Sequence, residues 1–379
     1  MHDLILRNGR VFDGFRFLND TDLAIEDRRI AAVGRGLPGA AAREIDCTGM
    51  TVTPGLIDVH THVFPLCQIG IDPRSAMLPF GITAAVDAGS AGCNTFELAA
   101  PMLSGLGIGL KCLLNLSSAG LSSLRSHPEN IDPRFFEKEK LRRLINKYPD
   151  RIIGLKLRMG RELSAGLGKE PLARAAEIAH SLGVPLCVHV SDPEFPAGEL
   201  AEYLEAGDIF THTYQGRSNT ILEEKGCVDS RIVAARRRGV LFDVGDARIH
   251  FDLEVFRAAA REGFLPDLFG SDMTDGGVFR TGAFALPYVL SKFVSLGLDE
   301  ETVLHAATAK AAELFGFPGG TLTPGSPADI AVFAVRSDLP NFVDGKNRPF
   351  PASFMLCPRM TLREGTVIWR SMEYPDPVL

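Results

Sequence analysis

The stretch Pro54-Gly-Leu-Ile-Asp-Val-His-Thr-His-Val-Phe-Pro65 decides how the chain is read. Its first half, GLIDVH, is an apolar, β-branched run of the kind that forms a buried strand. It ends in two histidines one residue apart, and imidazole sits poorly in an apolar layer unless its nitrogens have partners. Side chains two apart on a strand share a face, so His60 and His62 aim at one point.

Seven further runs of similar character follow: ITAAVD (82–87), LKCLLN (110–115), IIGLKLR (152–158), VPLCVHV (184–190), DIFTHT (208–213), VLFDVG (240–245) and DLFGSD (267–272). Most are separated by Ala- and Leu-bearing stretches such as PLARAAEIAHSLG and FDLEVFRAAAREG, which suit amphipathic helices. Strands alternating with helices pair in parallel through right-handed crossovers, and eight of them close a (β/α)8 barrel. The alternative is an open doubly wound sheet, which would carry a Gly-rich phosphate turn after its first strand.

The expected architecture is therefore α/β, with a TIM-type barrel over 54–318. Residues 1–53 alternate in strand fashion (LILRNGRVF, LAIEDRRIAAVG) around turn-like Asn8-Gly9 and Glu26–Arg29. From 319 to 379 short strands return (ADIAVFAV, MTLREGTVIWR). Neither end could bury a sheet face alone, so both are expected to join in one small β-sandwich domain. The long connection from Ser117 to Arg151 is expected to overhang the barrel mouth.

Bulk properties exclude several classes. A net charge of −7 without a basic block argues against nucleic acid as partner. The start, MHDLILRNGRVF, is too short and too charged for a signal peptide, and no apolar run approaches the roughly 20 residues of a membrane span. Seven scattered cysteines without a CxxC pair argue against a disulfide framework or zinc finger. A reduced, cytoplasmic protein acting on a small molecule is expected, with the oligomeric state left open.

In barrels of this type chemistry is built where strands meet their following loops. His60, His62, Lys156, His189, His212 and Asp272 all fall there. Each alone reads as a rim hydrogen bond, a salt bridge or a helix cap; it is their coincidence on different strands that points to a site. Imidazoles and a carboxylate are ligands for Zn²⁺ or a similar ion, and their number exceeds the three protein ligands of a one-zinc catalytic site. A lysine ammonium cannot ligate a cation. Carbamylated by CO₂, it would serve as a bridging anion between two ions. The remaining histidines (2, 127, 180, 250 and 305) read as bland.

On these residues the sequence resembles the amidohydrolase superfamily, binuclear branch. VTPGLIDVHTH matches that group's first-strand signature, and Lys156, His189, His212 and Asp272 follow in the family's order. The resemblance implies two divalent ions, zinc being the expected metal. His60, His62 and Asp272 would hold the more buried one. N6-carboxylysine at Lys156 would bridge to a second ion completed by His189 and His212. Asp272 would be the general acid/base. IIGLKLRMG, CVHVSDPE and DIFTHTYQGRSN look most like the dihydroorotase-like or deacetylase-like group, some of whose members remove acetyl groups from small carboxylic acids. That group is expected to carry a His after Gly245, where this chain has Asp246, and Thr-Asp where it has Ser271-Asp272.

Candidate substrate contacts are Arg158, two after Lys156 and so on its face, Tyr214, Arg217 and Asn219 after the sixth strand, and Asn115 ending the third. Dihydroorotases place an Arg two residues after the second metal histidine, and this chain has Phe64 there. Mononuclear deaminases lack the bridging lysine. The favoured reading is hydrolysis of an acyl amide or acyl ester on a small carboxylate-bearing molecule. Opening of a cyclic amide is the alternative, and a non-catalytic scaffold is the remote one.

Overall fold

The computed structural model describes residues 1–278 and 285–372; the end of the carboxyl-terminal segment, 373–379, and residues 279–284 lie outside it. Seven strands form one parallel sheet in chain order: Leu56–Thr61, Ile82–Gly92, Gly109–Asn115, Ile152–Arg158, Leu186–His189, Ile209–Thr211 and Leu241–Asp243. Their side chains are buried on both faces, as continuous apolar runs require; all six residues of Leu56–Thr61 are buried.

The eighth run differs from the expected regular strand. Residues 268–273 make isolated parallel bridges to both sheet edges, Asp243 with Leu268 and Thr61 with Met273. Val244 N–H donates to the Leu268 carbonyl at 3.1 Å, and Asp272 N–H to the His60 carbonyl at 2.7 Å, so the barrel closes. The reason for the irregularity is local. A Cβ at Gly270 would lie 2.2 Å from the His60 Cβ, and Asp272 has φ 51°. The chain kinks there, which turns the Asp272 side chain into the mouth.

Outer helices follow from capped amphipathic segments. The helix Leu253–Arg261 starts at Asp252, whose carboxylate accepts from the N–H groups of Glu254 and Val255, and it buries Leu253, Val255, Phe256 and Ala259. The amino-terminal end of the barrel is filled by Ile57, Val59, Val86, Leu113, Leu268, Ala311 and Phe315, and the strand-end polar residues gather at the opposite end.

The two chain ends pair in one eight-stranded mixed sheet. Met50–Pro54 lies parallel to His2–Phe12 and antiparallel to Ile330–Arg336, which stitches the termini together. Leu4, Leu23, Ile25, Val52, Ile330, Val332 and Leu362 form its own apolar cluster. Asp27 and Arg28, at φ 48° and 69°, make the expected tight turn between strands. Asn8-Gly9 does not turn. It sits inside the strand His2–Phe12 as a bulge, with Asn8 at φ 61° and register shifts on both sides of Gly9. A Cβ on Gly9 would meet Val52 Cγ2 at 2.9 Å, so the glycine serves close packing.

Candidate metal centre and active site

The six strand-end residues converge at the open end of the barrel. His60, His62, Lys156, His189 and Asp272 line one cavity of about 190 Å³, together with Arg158, His250, Thr274 and the apolar Ile69, Leu121, Leu124, Ala247 and Ile249. His212 closes the floor, its Nε2 at 2.8 Å from His189 Nδ1. Leu121 and Leu124 come from the long connection after the third strand, which does reach over the mouth.

The imidazoles are oriented from behind. His60 Nδ1 faces Asp243 Oδ2 at 2.8 Å, and the Thr211 hydroxyl donates to that same oxygen at 2.6 Å. His62 Nδ1 faces Ser90 Oγ at 2.9 Å, and that hydroxyl donates to Asp87 Oδ2 at 2.8 Å. His212 Nδ1 donates to the Gly245 carbonyl at 2.7 Å. With each Nδ1 proton committed outward, the Nε2 lone pairs of these three rings point inward. His60 Nε2 lies 3.6 Å and His62 Nε2 3.3 Å from Asp272 Oδ1, and Lys156 Nζ lies 3.4 Å from His60 Nε2.

Lys156 is 1% exposed, and its other polar neighbour is Cys187 Sγ at 3.5 Å. Its stem passes Gly89, where a Cβ would come within 2.6 Å. No carboxylate ion pair to Lys156 is found among the described residues, so the amine has no counter-charge of its own.

Burial favours the neutral form of His60, His189 and His212. Burial pushes the His60 pKa down, aided by Lys156 and opposed by Asp272 and Asp243. Burial drives His189 and His212 well below the usual imidazole value, each helped by a neighbouring histidine. Burial would raise the Asp272 carboxyl, but its close contacts with His60 and His62 hold it well below the usual carboxylate range. Neutral nitrogens around an ionised carboxylate are the donor set that a divalent cation requires. Donor atoms of His60, His212 and Asp272 lie within 4.8 Å of one another, as do those of His189, His212 and His250.

His250, expected to be bland, faces this cluster. It is 8% exposed, its Nδ1 lies 2.8 Å from Ser191 Oγ, and its Nε2 lies 3.6 Å from Asp272 Oδ2. Burial lowers its pKa to about 4. The signal for it was its place just after the seventh strand, on the side where the loops carry the site. Asp87, which ends ITAAVD, and Asp243, inside VLFDVG, are the orienting carboxylates and were equally visible as polar residues in apolar runs.

The substrate-contact expectations divide. Arg158 lines the cavity, and its guanidinium is held by Glu129, a carboxylate from the long connection with a side chain only 1% exposed. Asn115 does not face the cavity; its amide donates to Glu129 Oε1 at 2.6 Å and to the Gly89 carbonyl at 3.0 Å, bracing Arg158 from behind. Tyr214 is a correction. It is fully buried, packs edge-on to Phe256 and donates to the Phe264 carbonyl at 3.1 Å, because the strand ends at Thr211 and the next turn folds into the aromatic core. Asn219 ties its loop to the carbonyls of Pro193 and Glu194 at 3.1 Å, and Arg217 is exposed, its charge near enough to His250 to help lower that ring's pKa.

Residues 51–366 match the sequence model of the Amidohydrolase family. The chain belongs to that family. A deacetylase of Agrobacterium fabrum is 30% identical over 85% of this chain and 80% of its own length. A crystal structure of a dihydroorotase superposes with a TM-score of 0.88, 27% identity and 99% coverage of both chains. One of an adenine deaminase gives 0.86 at 25% identity, covering 98% of this chain and all of the other. The protein is a metal-dependent hydrolase of the amidohydrolase type.

Proposed function

We propose that this amidohydrolase is a deacylase, cleaving an acyl amide or acyl ester of a small carboxylate-bearing molecule with two divalent ions, zinc by preference. The observation that carries the metal reading is the outward commitment of the Nδ1 protons of His60, His62 and His212, which leaves unprotonated Nε2 atoms around Asp272. His60, His62 and Asp272 would hold one ion, His189 and His212 the other. A carbamylated Lys156 between them would supply the negative charge that its buried site lacks. Bound ions of this kind polarise a carbonyl and make a bound water acidic near neutral pH.

The protein's own part is proton handling and grip. Asp272, ionised and central, accepts the proton released during attack on the acyl carbon and returns it to the departing nitrogen or oxygen. Arg158, fixed by Glu129, presents its free N–H groups to a substrate carboxylate. Phe64 stacks on Phe96 at 5.5 Å in the apolar core, so the position where a dihydroorotase holds its carboxylate clamp carries none here. This supports deacylation over cyclic amide opening.

The test is a hydrolysis screen pairing N-acetyl amino acids, O-acetyl hydroxy acids, dihydroorotate and hydantoins. Turnover of acyl compounds, abolished by chelation, is expected; turnover of the cyclic compounds alone would overturn the reading. The scattered free cysteines support a reducing, cytoplasmic setting. Among the described residues no helix is long and apolar enough to cross a membrane.

A further inference from the structure

Asp246 stands where a histidine was expected, and its surroundings give it a different task. It is 2% exposed, and both carboxylate oxygens accept from Lys292 Nζ, at 2.8 and 2.6 Å. Lys292 is wholly buried on the helix Leu286–Ser295, with its ammonium 4.7 Å from the centre of the Phe251 ring. Neither group touches the cavity. Asp246 also organises the turn that follows. Its Oδ1 accepts from Arg248 N–H at 2.7 Å, and its carbonyl accepts from His250 N–H at 3.1 Å.

That turn is strained. Ala247 and Arg248 have φ 37° and 62°, the left-handed region, without being glycine. Such backbone persists only where its surroundings over-determine it. Two pins come from the eighth segment: Asp246 N–H donates to the Gly270 carbonyl and Ala247 N–H to the Ser271 carbonyl. The third is the Asp246 side chain. Between them they put Ala247, Ile249 and His250 on the cavity wall, while Gly245, one residue earlier, holds His212 Nδ1.

We propose that Asp246 is a positioning residue: its buried carboxylate, neutralised and aimed by Lys292 outside the cavity, is the acceptor that holds the turn 246–250 in its strained form and so sets the substrate-facing wall. The proposal rests on the deacylase reading only for the choice of substrate. A buried ion pair is replaceable by apolar residues with little loss of stability, whereas breaking it from one side is costly. Energy is thus a poor reason for it, and direction is a better one: the aspartate oxygen fixed by Lys292 is the acceptor that Arg248 N–H needs.

The experiment compares Asp246→Leu/Lys292→Met, which removes the charges and the acceptor together, with Asp246→Asn/Lys292→Met, which removes the charges but keeps an acceptor. Where leucine does not fit, Asp246→Ala/Lys292→Met replaces it. Zinc content, hydrogen exchange of the 244–252 peptide, and kcat and KM for the best acyl substrate of the screen are measured on each. The acceptor-free protein is expected to keep full zinc content and to exchange the Arg248 and His250 amides about tenfold faster. Its KM is expected to rise about tenfold with kcat little changed, while the asparagine protein stays near wild type. Wild-type protection and KM in the acceptor-free protein would overturn the proposal. So would equal losses in both double variants, which would make the pair a matter of charge and packing alone. The exchange result needs no substrate, so failure of the deacylase reading would leave it interpretable.

Discussion

Replacing Asp243 by asparagine should expose how the site orients its ligands. Asp243 Oδ2 takes the His60 Nδ1 proton at 2.8 Å and the Thr211 hydroxyl at 2.6 Å, and Oδ1 takes Gly270 N–H at 2.7 Å. All of this is buried, so the amide has only two choices. With its oxygen toward His60, its NH₂ faces the Gly270 N–H, and a buried donor left unpaired costs about 1–3 kcal/mol of stability. With its oxygen toward Gly270, the NH₂ faces His60 and forces the other tautomer, putting a proton on Nε2 where a metal needs a lone pair. Loss of such an orienting partner typically weakens metal binding 10–100-fold, or ~1.4–2.8 kcal/mol at 1.4 kcal/mol per decade. The two measurements are zinc affinity by chelator competition and urea unfolding of the zinc-free protein. At least one should move by these amounts. An Asp243→Asn protein unchanged in both would refute the assignment of His60 Nε2 as an inward lone pair.

Further expectations are more local. Arg158→Gln should raise KM for carboxylate-bearing substrates about tenfold or more with zinc content unchanged, because it removes a charge-assisted grip without touching a metal donor; steady-state kinetics and metal analysis check it. Tyr214→Phe should cost ~1 kcal/mol by denaturant unfolding, for the lost bond to the Phe264 carbonyl, and leave KM alone. The zinc-free protein should lose thermal stability as pH falls from 7 toward 5. His60, His189, His212 and His250 have folded pKa values below the ordinary 6.5, so the unfolded chain takes up protons in that window that the folded chain refuses. Asp58 opposes this in part, since burial raises its folded pKa to about 7 and it gains a proton in the fold over the same range. A melting temperature that rises steadily on acidification would contradict the neutral-imidazole picture.

The parts of the fold and site that were legible in the sequence are those with a period. Continuous apolar runs marked seven strands, because a parallel sheet is covered on both faces, and polar residues at the ends of several runs marked what now lines the mouth or braces it from behind. The eighth strand was legible as a position but not as a conformation, since the kink depends on the proximity of Gly270 to His60, a contact 210 residues apart in the chain. Asn8-Gly9 carried a turn signal that tertiary packing against Val52 overrode. His250 and Glu129 were missed because they sit on loops, where no periodicity assigns a direction. Tyr214 was misread for the same reason, three residues past the end of its strand.

The account depends above all on a carbamylated Lys156 bridging two ions. Zinc per chain, measured by elemental analysis on wild type and Lys156→Ala after reconstitution with bicarbonate, tests that directly. Close to two ions in wild type, with loss of the second in the variant, is the predicted result; fewer than one ion in wild type, or two retained without the lysine, would contradict it.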